Sequence, residues 1–279
     1  PFVNLQRFLS GWGWPVPALY QFSPEAGLLL MEDFGDVTLE AWLAGRTEDE
    51  IFRIYARAID LLVQLQIEGT SCLTPDCWAS GERFTEGLFR WELEHFYEYG
   101  VVARYGAAEP GDEAIIHACF DEIARRLATL PQVLVHRDYH SRNLMVDGSR
   151  LGVIDFQDAL LGPRHYDLAS LLKDSYVSLS ERLIDPLIEH YLEAWAAAGG
   201  QTRDDDPAIF RETFDLVSIQ RNLKAAGRFD YIDLVKKNPK FLASIPHTLE
   251  NVRCNLARHP WLAPLQEALG RKMPALRAS

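Results

Sequence analysis

Cysteine pairs are the first thing this chain lacks. Its four cysteines, Cys72, Cys77, Cys119 and Cys254, make no CxxC motif and are too few in 279 residues to build a disulfide framework. A reducing cytoplasm is therefore the expected compartment. Long apolar runs are missing too: no stretch approaches membrane-spanning length, and no basic segment leads into an apolar core at the start. Neither a membrane helix nor a secretory leader is expected. Positive charge is scarce, with 28 Lys and Arg against 40 Asp and Glu, a formal net charge of −12 and a pI near 5.1. That balance argues against nucleic acid or an anionic membrane as a partner. It would suit a cationic substrate, although solubility explains such acidity more simply. Repeats and low-complexity segments are also absent. What remains is a globular chain, 48% hydrophobic, suited to one large domain or two lobes sharing a cleft.

Along the chain, the start reads as a short α+β piece. Phe2, Leu5, Phe8 and Leu9 recur at helical spacing before a glycine, and WPVPALYQF and GLLLMEDFG then read as strands. Thr47 with Glu50 three residues on is a capping-box signature for the next helix. Further helical patterns cover roughly 82–104, 112–130, 165–178, 180–198, 207–227 and 239–257. Among them lie three short apolar runs, QVLVH, NLMVD and LGVIDF. The last two are joined by Asp147-Gly148-Ser149-Arg150, a hairpin signal. GGQTRDDDP at 199–207 reads as a surface loop.

These runs bracket HRDYHSRNLMV at 136–146, for which two chemistries compete. Phosphoryl transfer needs a carboxylate to orient the attacking hydroxyl and take its proton, plus oxygen ligands for Mg²⁺ on the phosphates of ATP. H-x-D-x-x-x-x-N followed by a strand-delivered Asp supplies that set: Asp138 as base, Asn143 and Asp155 as metal ligands. The rival is a Zn-dependent hydrolase on His136, Asp138 and His140, with Asp155, Asp158 and His165 in reserve. That reading leaves Asn143 and the hairpin without work. For His136 itself, a core histidine holding the loop is preferred; His140 reads as a support or substrate contact. Asp33-Phe34-Gly35 is a decoy, since a metal-binding Asp-Phe-Gly should follow the catalytic loop rather than precede it. Its preceding apolar run suits a hinge strand, with Glu32, Asp33 and Phe34 offering backbone groups to adenine and Asp33 capping or solvated.

VLVHRDYHSRNLMV, GVIDFQDALLGPRHYDLASLLKD and IQRNLKAAGRF together resemble the aminoglycoside phosphotransferase family. Within it, they look most like bacterial kinases of the anomeric hydroxyl of N-acetylmuramate and N-acetylglucosamine. The resemblance runs from about residue 2 to 257 and is densest over 133–174. It implies a protein-kinase-like α+β fold, with a truncated small lobe and hinge strand over 1–36 and a mainly helical large lobe over 37–279. It also implies ATP and Mg²⁺, with Asp138, Asn143 and Asp155 in the roles above, and Asp167 as a brace for the loop. The acceptor would be a small sugar or amino sugar; a cationic aminoglycoside is the alternative. Asp174, Gln220, Arg221, Asn222 and Lys224 are candidates to meet it, against a plain helix with a solvated basic face. Trp12, Trp14 and Trp91 could stack on a sugar, but such aromatics are expected in the core. A monomer is expected.

The family pattern also places a Gly-rich loop and a lysine-bearing strand ahead of the hinge. Here no lysine precedes Lys173, no Glu falls in residues 1–14, and only Gly11-Trp12-Gly13 approximates the loop. PFVNLQ resembles the segment just after the lysine strand. The expectation is a chain shortened by roughly sixty to eighty residues at its start. A catalytically silent relative that binds without turnover is the alternative.

Overall fold

Residues 1–200 and 206–278 are described by the structure, a computed structural model. In order they form α1 (Phe2–Gly11), β1 (Leu19–Ser23), β2 (Leu28–Met31), α2 (Leu39–Trp42), α3 (Glu48–Gln64), α4 (Trp78–Gly81), α5 (Glu86–Phe96), α6 (Ala103–Tyr105) and α7 (Pro110–Ala128). Four strands come next: β3 (Gln132–Val135), β4 (Leu144–Asp147), β5 (Arg150–Val153) and β6 (Leu160–Pro163). The chain closes with α8 (His165–Leu172), α9 (Glu181–Ala197), α10 (Pro207–Leu234), α11 (Ile245–Leu256) and α12 (Ala263–Lys272). Wider, π-helical turns at Leu65–Gly69 and Tyr97–Val102 extend α3 and α5. This is the α+β class expected. Residues 201–205 of the anticipated loop at 199–207 lie outside the described residues. Among the described residues, no helix is long and apolar enough to cross a membrane.

The chain divides into two compact units. The first comprises, among the described residues, 1–83, 131–172 and 179–200, so residues 1–36 share a unit with later parts of the chain. Its helical frame is α3 against α9. Thr47 and Glu50 close the capping box that starts α3, and Ile54, Tyr55, Ala58, Ile59, Leu62 and Val63 bury one helical stripe. Three two-stranded antiparallel ribbons complete the unit: β1–β2, β3–β6 and β4–β5. β4 and β5 are apolar at consecutive rather than alternate positions, with Leu144–Val146 and Leu151–Val153 buried, because both of their faces are covered. β1–β2 is the contrast, with Tyr20, Leu28, Leu29 and Leu30 exposed.

The second unit comprises 84–130, 173–178 and 206–278. α10 runs through its centre, packing against α5, the π turn and α11. A Cβ on Gly227 would stand 2.4 Å from the Cα of Phe96, so α10 and α5 meet backbone to backbone there. Sequence periodicity placed most of these helices but not their edges. The helix anticipated from 82 begins at Glu86, where Thr85 accepts the Leu88 amide as N-cap, and its second half is a π turn. The segment after His165 stops at Leu172 instead of 178, and α10 continues past 227 to Leu234. β6 and α12 carried no signal that was recognised.

Candidate functional site

β3 ends at Val135, and the chain then turns through 136–143 into β4. This turn is built on a left-handed residue, Arg137, at φ 79°. Its backbone is clamped by one buried carboxylate: Asp167 Oδ2 accepts the His136 amide at 2.6 Å and Oδ1 the Arg137 amide at 2.9 Å. The bracing role expected of Asp167 is thus visible as two hydrogen bonds. His136 is buried, and burial lowers its pKa to about 4. The neutral ring fits its partners: Nε2 donates to the Ile154 carbonyl at 3.0 Å, and Nδ1 accepts from the Asp138 amide at 3.3 Å. Beneath it lie Trp14 and Tyr139, whose rings sit 6.5 Å apart. Trp14 Nε1 donates to the Leu61 carbonyl and Tyr139 Oη to the Ala58 carbonyl, fixing the loop to α3. Arg142, at the far end of the loop, makes a fork-to-fork pair with Glu40 at 2.6 and 2.9 Å.

Three of the residues singled out from the sequence meet at this turn. Asn143 Nδ2 donates to the backbone carbonyl of Asp138 at 2.9 Å and to Asp155 Oδ2 at 3.4 Å. Asp155 is itself left-handed, at φ 65°, and its Oδ1 accepts from Gln157 at 2.7 Å. The β4–β5 hairpin that delivers it is held on both sides, Val146 donating to the Val37 carbonyl and Val153 to that of Pro15. Both amide hydrogens of Asn143 point inward to this cluster, leaving its Oδ1, with the Asp155 carboxylate, as hard oxygen donors of the kind Mg²⁺ takes. His140 sits in the same loop, its amide bonded to the Asp138 carbonyl.

A zinc site finds no comparable support. Both ring nitrogens of His136 are engaged, and among the described residues no three His, Cys, Asp or Glu side chains gather as a metal cage. His165 is fully buried on α8, and burial, with Arg164 beside it, holds its pKa well below the ordinary histidine value.

Glu32, Asp33 and Phe34 come directly after β2. Glu32 accepts from Arg150 at 2.7 Å and from the Ala18 amide at 3.1 Å, and these two bonds hold its carboxyl below the usual range. Asp33 is exposed and caps the Gly35 amide, which makes the Asp-Phe-Gly tripeptide a local turn. The Phe34 ring lies on Gly152 of β5, with Arg150 4.8 Å from its centroid.

Asp174, Arg221, Asn222 and Lys224 belong to the second unit. Asp174 is buried and accepts the Tyr176 amide. On α10, residues 214–223 are buried without a break, Arg221 among them, whereas Lys224 is half-buried and Arg228 exposed, so only the later part of the stretch keeps a solvated basic face. Gln220 donates to Glu92, and Arg221 to Asn222 Oδ1. Trp14 is in the core as expected, but Trp91 is 60% exposed. Sequence reasoning missed Tyr139, Glu40 and Arg142; partners 81 and 102 residues apart leave no local pattern to read.

Loop, hairpin and helical body define a kinase-like phosphotransferase. The sequence profile of the phosphotransferase enzyme family matches residues 1–200, and the chain belongs to that family. The N-acetylmuramate/N-acetylglucosamine kinase of Pseudomonas aeruginosa is 32% identical over 272 residues, 96% of this chain and 77% of that protein. Its namesake from Neisseria meningitidis is 32% identical over 271 residues, 96% and 78% respectively. Among solved structures, a choline/ethanolamine kinase family protein from Mesorhizobium loti matches with a TM-score of 0.60 at 17% identity, over 99% of this chain and 81% of that one. LicA in complex with AMP matches with a TM-score of 0.60 at 14% identity, over 91% and 78%. The fold is protein-kinase-like, and the protein is a small-molecule kinase.

Proposed function

We propose that this chain transfers the terminal phosphoryl group of ATP to a hydroxyl of an N-acetylated sugar, N-acetylmuramate or N-acetylglucosamine. The observation that carries the reading is that Asn143 ties the backbone of Asp138, on the clamped turn, to the carboxylate of Asp155 at the end of the β4–β5 hairpin. The choice of acceptor draws on the relatives at 32% identity, which are named for those sugars. Asp138 orients the acceptor hydroxyl and takes its proton as the new P–O bond forms. Asn143 Oδ1 and the Asp155 carboxylate would hold Mg²⁺, which when bound would neutralise charge on the phosphate oxygens. The neutral His136 and the Asp167 clamp keep the loop backbone fixed while this happens. The segment 32–34, between β2 and α2, offers backbone groups to adenine.

Asp138→Ala and Asp138→Asn test the base. With ATP, Mg²⁺ and either sugar, each should lower kcat by about 10²- to 10⁴-fold while the urea midpoint stays near wild type. Wild-type turnover in both variants would remove Asp138 from the mechanism.

A further inference from the structure

One surface of the second unit is left over once the phosphoryl-transfer residues are assigned. Trp91 on α5 is 60% exposed, yet it is not loose: its ring stacks on His95 at 5.6 Å and 26°. His95 in turn touches Tyr99 at 4.8 Å and Tyr231 at 5.3 Å, and these two tyrosines meet edge to face at 5.0 Å. The row exists for two backbone reasons. The π turn at Tyr97–Val102 re-aims Tyr99, and the bare Gly227 lets α10 approach α5 closely enough to bring in Tyr231.

An aromatic row whose only purpose was to fill a core would not leave its largest ring in water, where burying it would gain the most. Polar features accompany it. His95 Nε2 is screened from solvent and meets no protein partner among the described residues. The exposed Arg228 lies 5.0 Å from the Tyr231 centroid, and Lys236 5.9 Å from it on the same ring. Burial, then the field of Arg228, lower the pKa of His95, while Glu98 is occupied by the Tyr99 hydroxyl. In a chain of net charge −12, four of the six lysines fall between 224 and 240. Of these, Lys236 lies on the Tyr231 ring and Lys224 acts on His95, alongside Arg228.

We infer that Trp91, His95, Tyr99, Tyr231 and Arg228 form a carbohydrate subsite for an anionic N-acetylated sugar, its pyranose face on Trp91 and its carboxylate against Arg228. The choice of ligand rests on the sugar-kinase reading above. A flat, partly exposed ring suits the C–H face of a pyranose, and His95 backs that ring from below. The guanidinium matches a carboxylate fork to fork.

The test is calorimetric titration of the wild-type protein, Trp91→Ala and Arg228→Gln with N-acetylmuramate and with N-acetylglucosamine, which lacks the carboxylate. Both substitutions fall on exposed side chains, and circular dichroism checks that the fold is kept. Trp91→Ala should weaken both sugars about tenfold. Arg228→Gln should weaken the acid about tenfold and leave the neutral sugar within about twofold. Wild-type Kd values for both sugars in both variants would overturn the subsite, as would a wild-type protein that binds neither sugar. An Arg228→Gln effect equal on the two sugars would overturn the carboxylate assignment. Kinase assays run in parallel keep the two readings apart: binding lost in the variants supports the subsite even where the wild type phosphorylates neither sugar, an outcome that would sink the kinase reading alone.

Discussion

Arg137 and Asp155 both occupy the left-handed region, which costs a non-glycine residue on the order of 1 kcal/mol or more. They stand at the two ends of the candidate site, and the strain persists because Asp167, His136 and Gln157 over-determine it. HRD with its Asn could be read straight from the sequence, because the spacing is local. The clamp could be suspected only through family resemblance, since Asp167 lies 30 residues beyond the amide it holds. The buried histidines make a pH prediction. In the unfolded chain an imidazole takes its proton near pH 6.5, whereas folded His136 resists until about 4. Between those values the unfolded state binds more protons, so stability is complete above about pH 6.5 and falls as pH drops. At pH 5 the loss from His136 alone should be about 2 kcal/mol. His165, shifted the same way, adds to it. Urea midpoints at pH 7 and 5 check this, and equal midpoints would contradict it.

At the scale of elements, β4–β5 was legible because Asp147-Gly148 between two apolar runs is a strong local turn signal. β6 was not, since LLGP is four residues with a glycine and a proline, and it becomes a strand only because β3 supplies the ladder. The π turns were invisible for a related reason, as one widened turn barely alters a 3.6-residue pattern. Two glycines show how element packing sets tolerance. Alanine at Gly152 would meet Phe34 ring atoms at 2.3 Å, and a ring can swing aside. Alanine at Gly227 would meet Phe96 backbone at 2.4 Å, which cannot move without shifting α5. Gly152→Ala should cost about 1–3 kcal/mol. Gly227→Ala should cost more, even after the gain of about 1 kcal/mol in helix propensity. Adding Phe34→Ala should recover part of the first loss, as denaturant midpoints would show; equal costs for the two glycines would refute the distinction.

For the whole molecule, acidity and site chemistry point to different acceptors. A net charge of −12 attracts cations at long range, as choline or an aminoglycoside would exploit. Fold does not decide between them, since one fold hosts many acceptors. The N-acetyl-sugar acceptor proposed above rests on relatives that match along almost the whole chain and are named for those sugars. Steady-state assays should therefore give a kcat/KM at least about 100-fold higher for N-acetylmuramate than for choline, because differential contacts in the transition state outweigh screened long-range attraction. A preference for choline would mean that the global field governs.

The wide turn at Tyr97–Val102 carries a historical reading as well. A π turn takes one residue more than an α turn into a helix that is otherwise α-helical. The flanking stretches keep their register, one hydrogen bond is weakened, and a single ring changes direction. A lineage could gain or discard such a ring by one insertion or deletion, without rebuilding the bundle around it.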